Sequence, residues 1–74
     1  MLSTISHTAD RNAGIGNGDS RKAQHKIRNW IANRGTRREM IDAGALLRVN
    51  GRWFIDDERF IRLLRKFAER TLDT

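Results

Sequence analysis

The 74-residue chain contains no cysteine, no proline and no tyrosine. Without cysteine there is no disulfide framework, no thiolate nucleophile and no cysteine-based zinc site. No apolar run approaches the roughly 20 residues that a membrane-spanning helix requires. The start, Met1 to Ser6, is mildly apolar with no basic residue before it, so a secretory leader is not expected and a cytoplasmic location is. Histidine is confined to His7 and His25, and no acidic cluster joins them, so no metal site is expected. No serine, histidine and carboxylate set falls within one ordered unit. Asp56, Asp57 and Glu58 are adjacent, so their side chains diverge around a helix and form no catalytic dyad. A chain this short, burying roughly 60% of its unfolded surface, also has little from which to wall a substrate pocket. Neither an enzyme nor a cofactor is expected.

What is present is positive charge. Fifteen Lys and Arg stand against nine Asp and Glu, a formal +6, and 12 of the 15 bases are arginine. Excess charge speaks to association rather than to fold, and it points to an acidic partner. Arginine, with its planar fork, suits bidentate contact with phosphate or guanine better than mere solubility requires.

Along the chain, residues 1–19 are rich in Ser, Thr, Asn and Gly and include Ala13-Gly14-Ile15-Gly16-Asn17-Gly18. Such composition supplies chain entropy and little packing surface, so this part is expected to be a flexible N-terminal arm. The Gly-x-Gly-x-Gly spacing has no strand before it and no Gly-Lys-Ser/Thr after it, so a phosphate loop is not expected. An ordered domain is expected over 20–72. Asp19 or Ser20 can cap a helix whose apolar positions are Ala23, Ile27, Trp30 and Ile31, ending at Asn33-Arg34-Gly35 with Gly35 left-handed. Thr36 and Glu39 have the spacing of a capping box for a second helix, with Met40 and Ile41 toward the core and Gly44 at its end. Asn50-Gly51 between Leu46–Val49 and Arg52–Ile55 is a hairpin signal. Its register stays open: a two-residue turn groups Leu47 and Val49 with Phe54, and a three-residue turn groups Leu47, Val49, Trp53 and Ile55. Asp56 can cap a last helix, with Phe60, Leu63, Leu64, Phe67 and Ala68 as its buried stripe. The expected fold is mostly α with a small β-hairpin, in the order α-α-β-β-α, after a disordered arm.

The candidate binding residues follow from this placement. Arg34, Thr36, Arg37 and Arg38 fall at the turn and first turn of the second helix, and Arg48, Asn50, Gly51 and Arg52 fall around the hairpin tip. A short helix with exposed Arg and Thr at its start can enter a major groove, and the hairpin can lie along the backbone beside it. Arg11, Arg21 and Lys22 fall on the arm and the start of the first helix, and the arm can follow the next groove. Trp30, Phe54, Phe60 and Phe67 are expected in the core, whereas the face of Trp53 depends on the register.

The stretch from Thr36-Arg37-Arg38-Glu39-Met40-Ile41-Asp42-Ala43-Gly44 through Arg48-Val49-Asn50-Gly51-Arg52-Trp53-Phe54-Ile55 to Phe60 and Leu63-Leu64 resembles the excisionase-type, MerR-like winged helix-turn-helix domain. The likeness runs from about Gly35 to Lys66. It implies DNA binding by a recognition helix and a wing, in an excision factor or a small transcription regulator of a mobile element, with contacts at Thr36, Arg37, Arg38, Asn50, Gly51 and Arg52. Two features depart from the pattern: the first helix is Arg- and Trp-rich with an Asn33-Arg34-Gly35 turn, and the proline common before the wing strand is missing.

Two function classes follow. One is a small sequence-specific binder of double-stranded DNA, working as a homodimer, in cooperative assembly on DNA, or beside an integrase-like or other protein partner. The alternative is a protein-interaction module, such as a phage-type inhibitor or adaptor, that covers an acidic protein surface. RNA binding lacks its usual aromatic sheet surface and Gly-x-x-Gly clamp, and no membrane partner is expected.

Overall fold

Asp19 opens the first long helix. In the computed structural model, which describes residues 2–72 (side chains through Phe67), its backbone is extended and its carboxylate accepts from the N–H groups of Arg21 at 2.9 Å and Lys22 at 3.3 Å. The helix runs Ser20–Ala32 and is the second of the chain, α2, with Ala23, Ile27 and Ile31 buried. Its end differs from expectation. The stop is Asn33, whose N–H donates to the Asn29 carbonyl at 2.9 Å, while its side-chain oxygen accepts from the Thr36 N–H at 3.1 Å. That second bond caps α3, Arg34–Asp42. Asn33 thus closes one helix and opens the next, because an extended Asn satisfies a helix start without a separate turn. Gly35 therefore sits inside the first turn of α3 rather than in a left-handed stop, and Thr36 is a helical residue rather than a cap. The far end is as read: Gly44 has φ +72, with its N–H on the Ile41 carbonyl and that of Ala45 on the Met40 carbonyl. This paired pattern is a Schellman ending, which satisfies two carbonyls that the helix leaves open.

Strands β2, Leu46–Val49, and β3, Arg52–Asp56, form the expected hairpin. Asn50 (φ 50) and Gly51 (φ 76) are both left-handed, so the turn has two residues and matches the strand twist. It pairs Val49 with Arg52, Arg48 with Trp53, Leu47 with Phe54 and Leu46 with Ile55. Of the two open registers, this is the one that groups Leu47 and Val49 with Phe54. Leu46 and Ile55 enter the core, and Leu47 and Val49 are exposed.

Residues 2–19 depart from the expected flexible arm, because they are folded. Leu2–Ser3 forms β1 and Ile5–Arg11 forms α1. A 3-10 turn follows over Ala13–Gly16. β1 pairs antiparallel with β3, Leu2 with Asp56 and Ser3 with Ile55, giving the sheet order β1-β3-β2. Thr4 caps α1 through the His7 N–H, and Thr8 and Ala9 are buried in a helix that packs on α2. Asp57 holds the segment from afar: its Oδ2 accepts from Ser3 Oγ and Arg11 Nη1, each at 2.7 Å. The composition of 1–19 cannot order itself. Its partners lie 46 and 54 positions along the chain, where local reading does not reach.

Glycine contributes packing here, not only chain entropy. Gly16 is buried against the start of α2, where an added Cβ would collide with the Ala23 backbone nitrogen and come within 2.7 Å of Lys22 Cβ. Gly14, two residues earlier, has open space. Gly16→Ala is expected to cost about 3 kcal/mol because backbone cannot yield to an extra methyl, and Gly14→Ala to be near neutral; parallel chemical denaturation checks both.

The last helix, α4, Asp57–Leu72, starts where Asp56 Oδ1 accepts from the Arg59 N–H at 3.2 Å, with Asp57 and Glu58 in the dipole-favoured first turn. Phe60 and Leu63 are buried, and Leu64 and Phe67 pack at the core's margin. Ala68, expected in the same stripe, lies outside the described side chains. Trp30 joins α2 to α4, its ring 6.3 Å from that of Phe60 and 5.5 Å, near edge-on, from that of Phe67. The whole is mostly helical with a small antiparallel sheet. Among the described residues no helix is long and apolar enough to cross a membrane.

Candidate nucleic-acid interface

Charge divides along the chain at the start of α2 and again inside α3, just before Glu39. From Ser20 to Arg38 there are seven Lys and Arg and no acid, leaving eight bases against nine acids elsewhere. The net positive charge of the molecule therefore belongs to these 19 residues. On α2, Ala23, Ile27 and Ile31 are buried, and Arg21, Lys22, Lys26 and Arg28 are exposed. Arg21, Gln24, His25 and Arg28 line a shallow depression of about 230 Å³.

On α3 the buried residue is Met40, so Arg34 and Arg38 are exposed and Arg37 half-buried. Arg34, Arg37, Arg38, Ile41 and Asp42 line an open groove of about 340 Å³. Their spacing of three, four and seven residues puts them on one strip of helix surface. Arg38 Nε stands 4.0 Å from Asp42 Oδ2, both well exposed. Such a pair contributes a few tenths of a kcal/mol at most and leaves the guanidinium free to change partner. Thr36 is half-buried, and its N–H is committed to Asn33.

The hairpin residues do not all join this strip. Asn50 and Gly51 form the exposed tip. Arg48 and Arg52 stand on opposite faces of the sheet, because the register opposes Arg48 to Trp53 and Arg52 to Val49. Arg48 shares the side of Leu46 and Ile55, against which the helices pack, and its guanidinium carbon lies 5.3 Å from the Trp53 ring centre. A guanidinium over an indole face is held by the ring quadrupole, so Trp53 is half-buried under a charged cover rather than left as an open platform. Arg52 faces outward with Leu47, Val49 and Phe54. Arg11, expected on a free arm, is bound to Asp57 instead.

Of the exposed bases of α2, the sequence reading includes Arg21 and Lys22 with the arm and leaves out Lys26 and Arg28. The signal was available: nineteen residues without an acid, with bases at 21, 22, 26 and 28 complementary to the apolar stripe. Compared with protein-family models, with curated proteins and with solved structures, the chain matches none.

Proposed function

We propose that this chain is a small protein that binds double-stranded DNA sequence-specifically, an excision factor or transcription regulator of a mobile element, acting in the cytoplasm. The observation that carries the reading is the acid-free basic run from Ser20 to Arg38, which spans α2, the single joining residue Asn33 and the first five residues of α3. α3 is a nine-residue α-helix, and the diameter of such a helix, about 10–12 Å, suits a groove about 12 Å wide. Arg34, Arg37 and Arg38 reach base edges and phosphates, and Thr36 supports their helix start. The outer face of α2 contacts the flanking backbone, and Arg48 with the Asn50-Gly51 tip contacts the backbone on the wing side. The resemblance to excisionase-type domains supports the same assignment of helix and wing.

The test is a titration of the labelled chain with duplex DNA at low salt, read by amide chemical shifts. Shifts concentrated on Arg21–Arg28, Arg34–Arg38 and Arg48–Gly51 are expected. A spectrum indifferent to duplex ends the proposal. Recovery of one stoichiometric protein partner, insensitive to nuclease, would replace it with the reading as an interaction module for an acidic protein surface.

A further inference from the structure

The sheet has a face that the helices leave uncovered. Register and strand alternation put Leu2 of β1, Leu47 and Val49 of β2, and Arg52, Phe54 and Asp56 of β3 on it, while Ser3, Leu46 and Ile55 point to the core. Leu2 is 49% exposed, Leu47 39% and Val49 43%. Single apolar residues on a surface need no explanation, but several on one face of a three-stranded sheet make a patch.

The central strand carries the specific information. Along its outer face β3 reads Arg52, Phe54, Asp56: a cation, an aromatic ring and an anion at alternate positions. This order is complementary to itself when reversed. Turned end for end about Phe54, it sets Arg52 opposite Asp56 at one end and Asp56 opposite Arg52 at the other. Because β3 is the middle strand, the same rotation lays the sheet centre on the sheet centre and Leu47 beside Leu47. Asp56 caps α4 through Oδ1, so its other carboxylate oxygen is the one a guanidinium would meet.

We propose that the outer sheet face binds the same face of a second copy of this chain, β3 over β3 and antiparallel, about a two-fold axis at Phe54. The partner is fixed by the charge order, since isologous contact requires a surface to complement itself. The face is small. Strands of two, four and five residues, about 7, 14 and 17 Å long and about 4.8 Å apart, offer about 180 Å² per copy, or about 360 Å² together. That is below the roughly 1,200 Å² of stable interfaces, so the dimer is weak and exchanges quickly. It uses the side of the sheet away from the helices and does not rest on the DNA reading.

The experiment is a concentration series of the full chain without DNA, followed by amide shifts and sedimentation. Concentration-dependent shifts on Leu47–Val49 and Arg52–Asp56, with a rising mean mass, are expected. Arg52→Glu makes both ends of the face anionic, Asp56→Lys makes both cationic, and each alone should lose the concentration dependence while keeping a folded spectrum. An equimolar mixture of the two should associate again, because each then supplies what the other lacks. If Asp56→Lys, deprived of its cap, does not fold, Arg52→Glu alone decides, and persistence of the shifts in it overturns the proposal. So does a wild-type spectrum unchanged by concentration, or shifts confined to the open edge of β2 or to α4.

Discussion

Replacing Arg37 and Arg38 together with alanine lowers affinity for duplex DNA by about 100-fold, at about 1.4 kcal/mol for each lost arginine contact. The matched control is Arg65→Ala with Lys66→Ala, two exposed bases on α4 outside the acid-free unit, and its loss stays within about threefold if placement matters. Equal losses would mean that diffuse charge attracts the polyanion and that no recognition helix exists. Salt separates the cases further. If about five of the seven bases on α2 and α3 touch phosphates, a fourfold rise in salt lowers the wild-type affinity by about 500-fold through counterion release. Removing two of those contacts lowers the slope of log affinity against log salt by about 2. Arg21→Ala with Arg28→Ala should flatten that slope while preserving preference among sequences, as backbone contacts carry no base information. Anisotropy titrations over a salt series, on two unrelated duplexes, measure all of these.

Deleting residues 1–18, with Asp19 kept as the cap of α2, removes the cooperative unfolding transition or lowers its midpoint by at least about 25 °C. The loss has several parts. Ala9 leaves the core, Ile5 and Ile15 no longer pack at its margin, and the surface of α2 around Ala23 is uncovered. β3 loses its pairing with β1, and Asp57 loses both Ser3 and Arg11. Together these amount to about 6 kcal/mol of lost burial and hydrogen bonding. A domain of this length has only about 4–11 kcal/mol in all. Circular dichroism of the shortened chain during heating gives the answer directly. A midpoint within about 5 °C of the full chain's would return residues 1–18 to the status of an arm.

Local physics was legible in the sequence wherever the deciding atoms lie within a few positions. Asp19 caps α2 through amides two and three residues on, Gly44 and Ala45 end α3 by donating to the Ile41 and Met40 carbonyls, and Asn50-Gly51 turns the chain by its own dihedral freedom. The helix junction was harder, because two caps competed. Asn33 and Thr36 both carry the required oxygen, and Asn33 won because one extended residue there serves both helices. The N-terminal segment was not legible, since Ser3 and Arg11 depend on Asp57 and Gly16 on the backbone at Ala23. The candidate site divides the same way. Arg34, Thr36, Arg37 and Arg38 belong to one helix start and stay together. Arg48 and Arg52 were grouped by nearness to the tip, and a two-residue turn puts them on opposite faces. Lys26 and Arg28 of α2 are not legible as site residues, because each has a sufficient reading as a solvated residue and only the missing acids set the run apart.

The absence of tyrosine, together with the two tryptophan environments, gives this molecule an optical consequence. All of its near-ultraviolet emission above the phenylalanine range comes from Trp30 and Trp53. Trp30 lies between Phe60 and Phe67, so its spectrum follows the separation of α2 from α4. Trp53 lies beneath the Arg48 guanidinium, so its brightness follows whatever draws that cation away, a phosphate above all. One chromophore reports melting and the other reports occupancy, and no label is needed to tell them apart once either is replaced by phenylalanine.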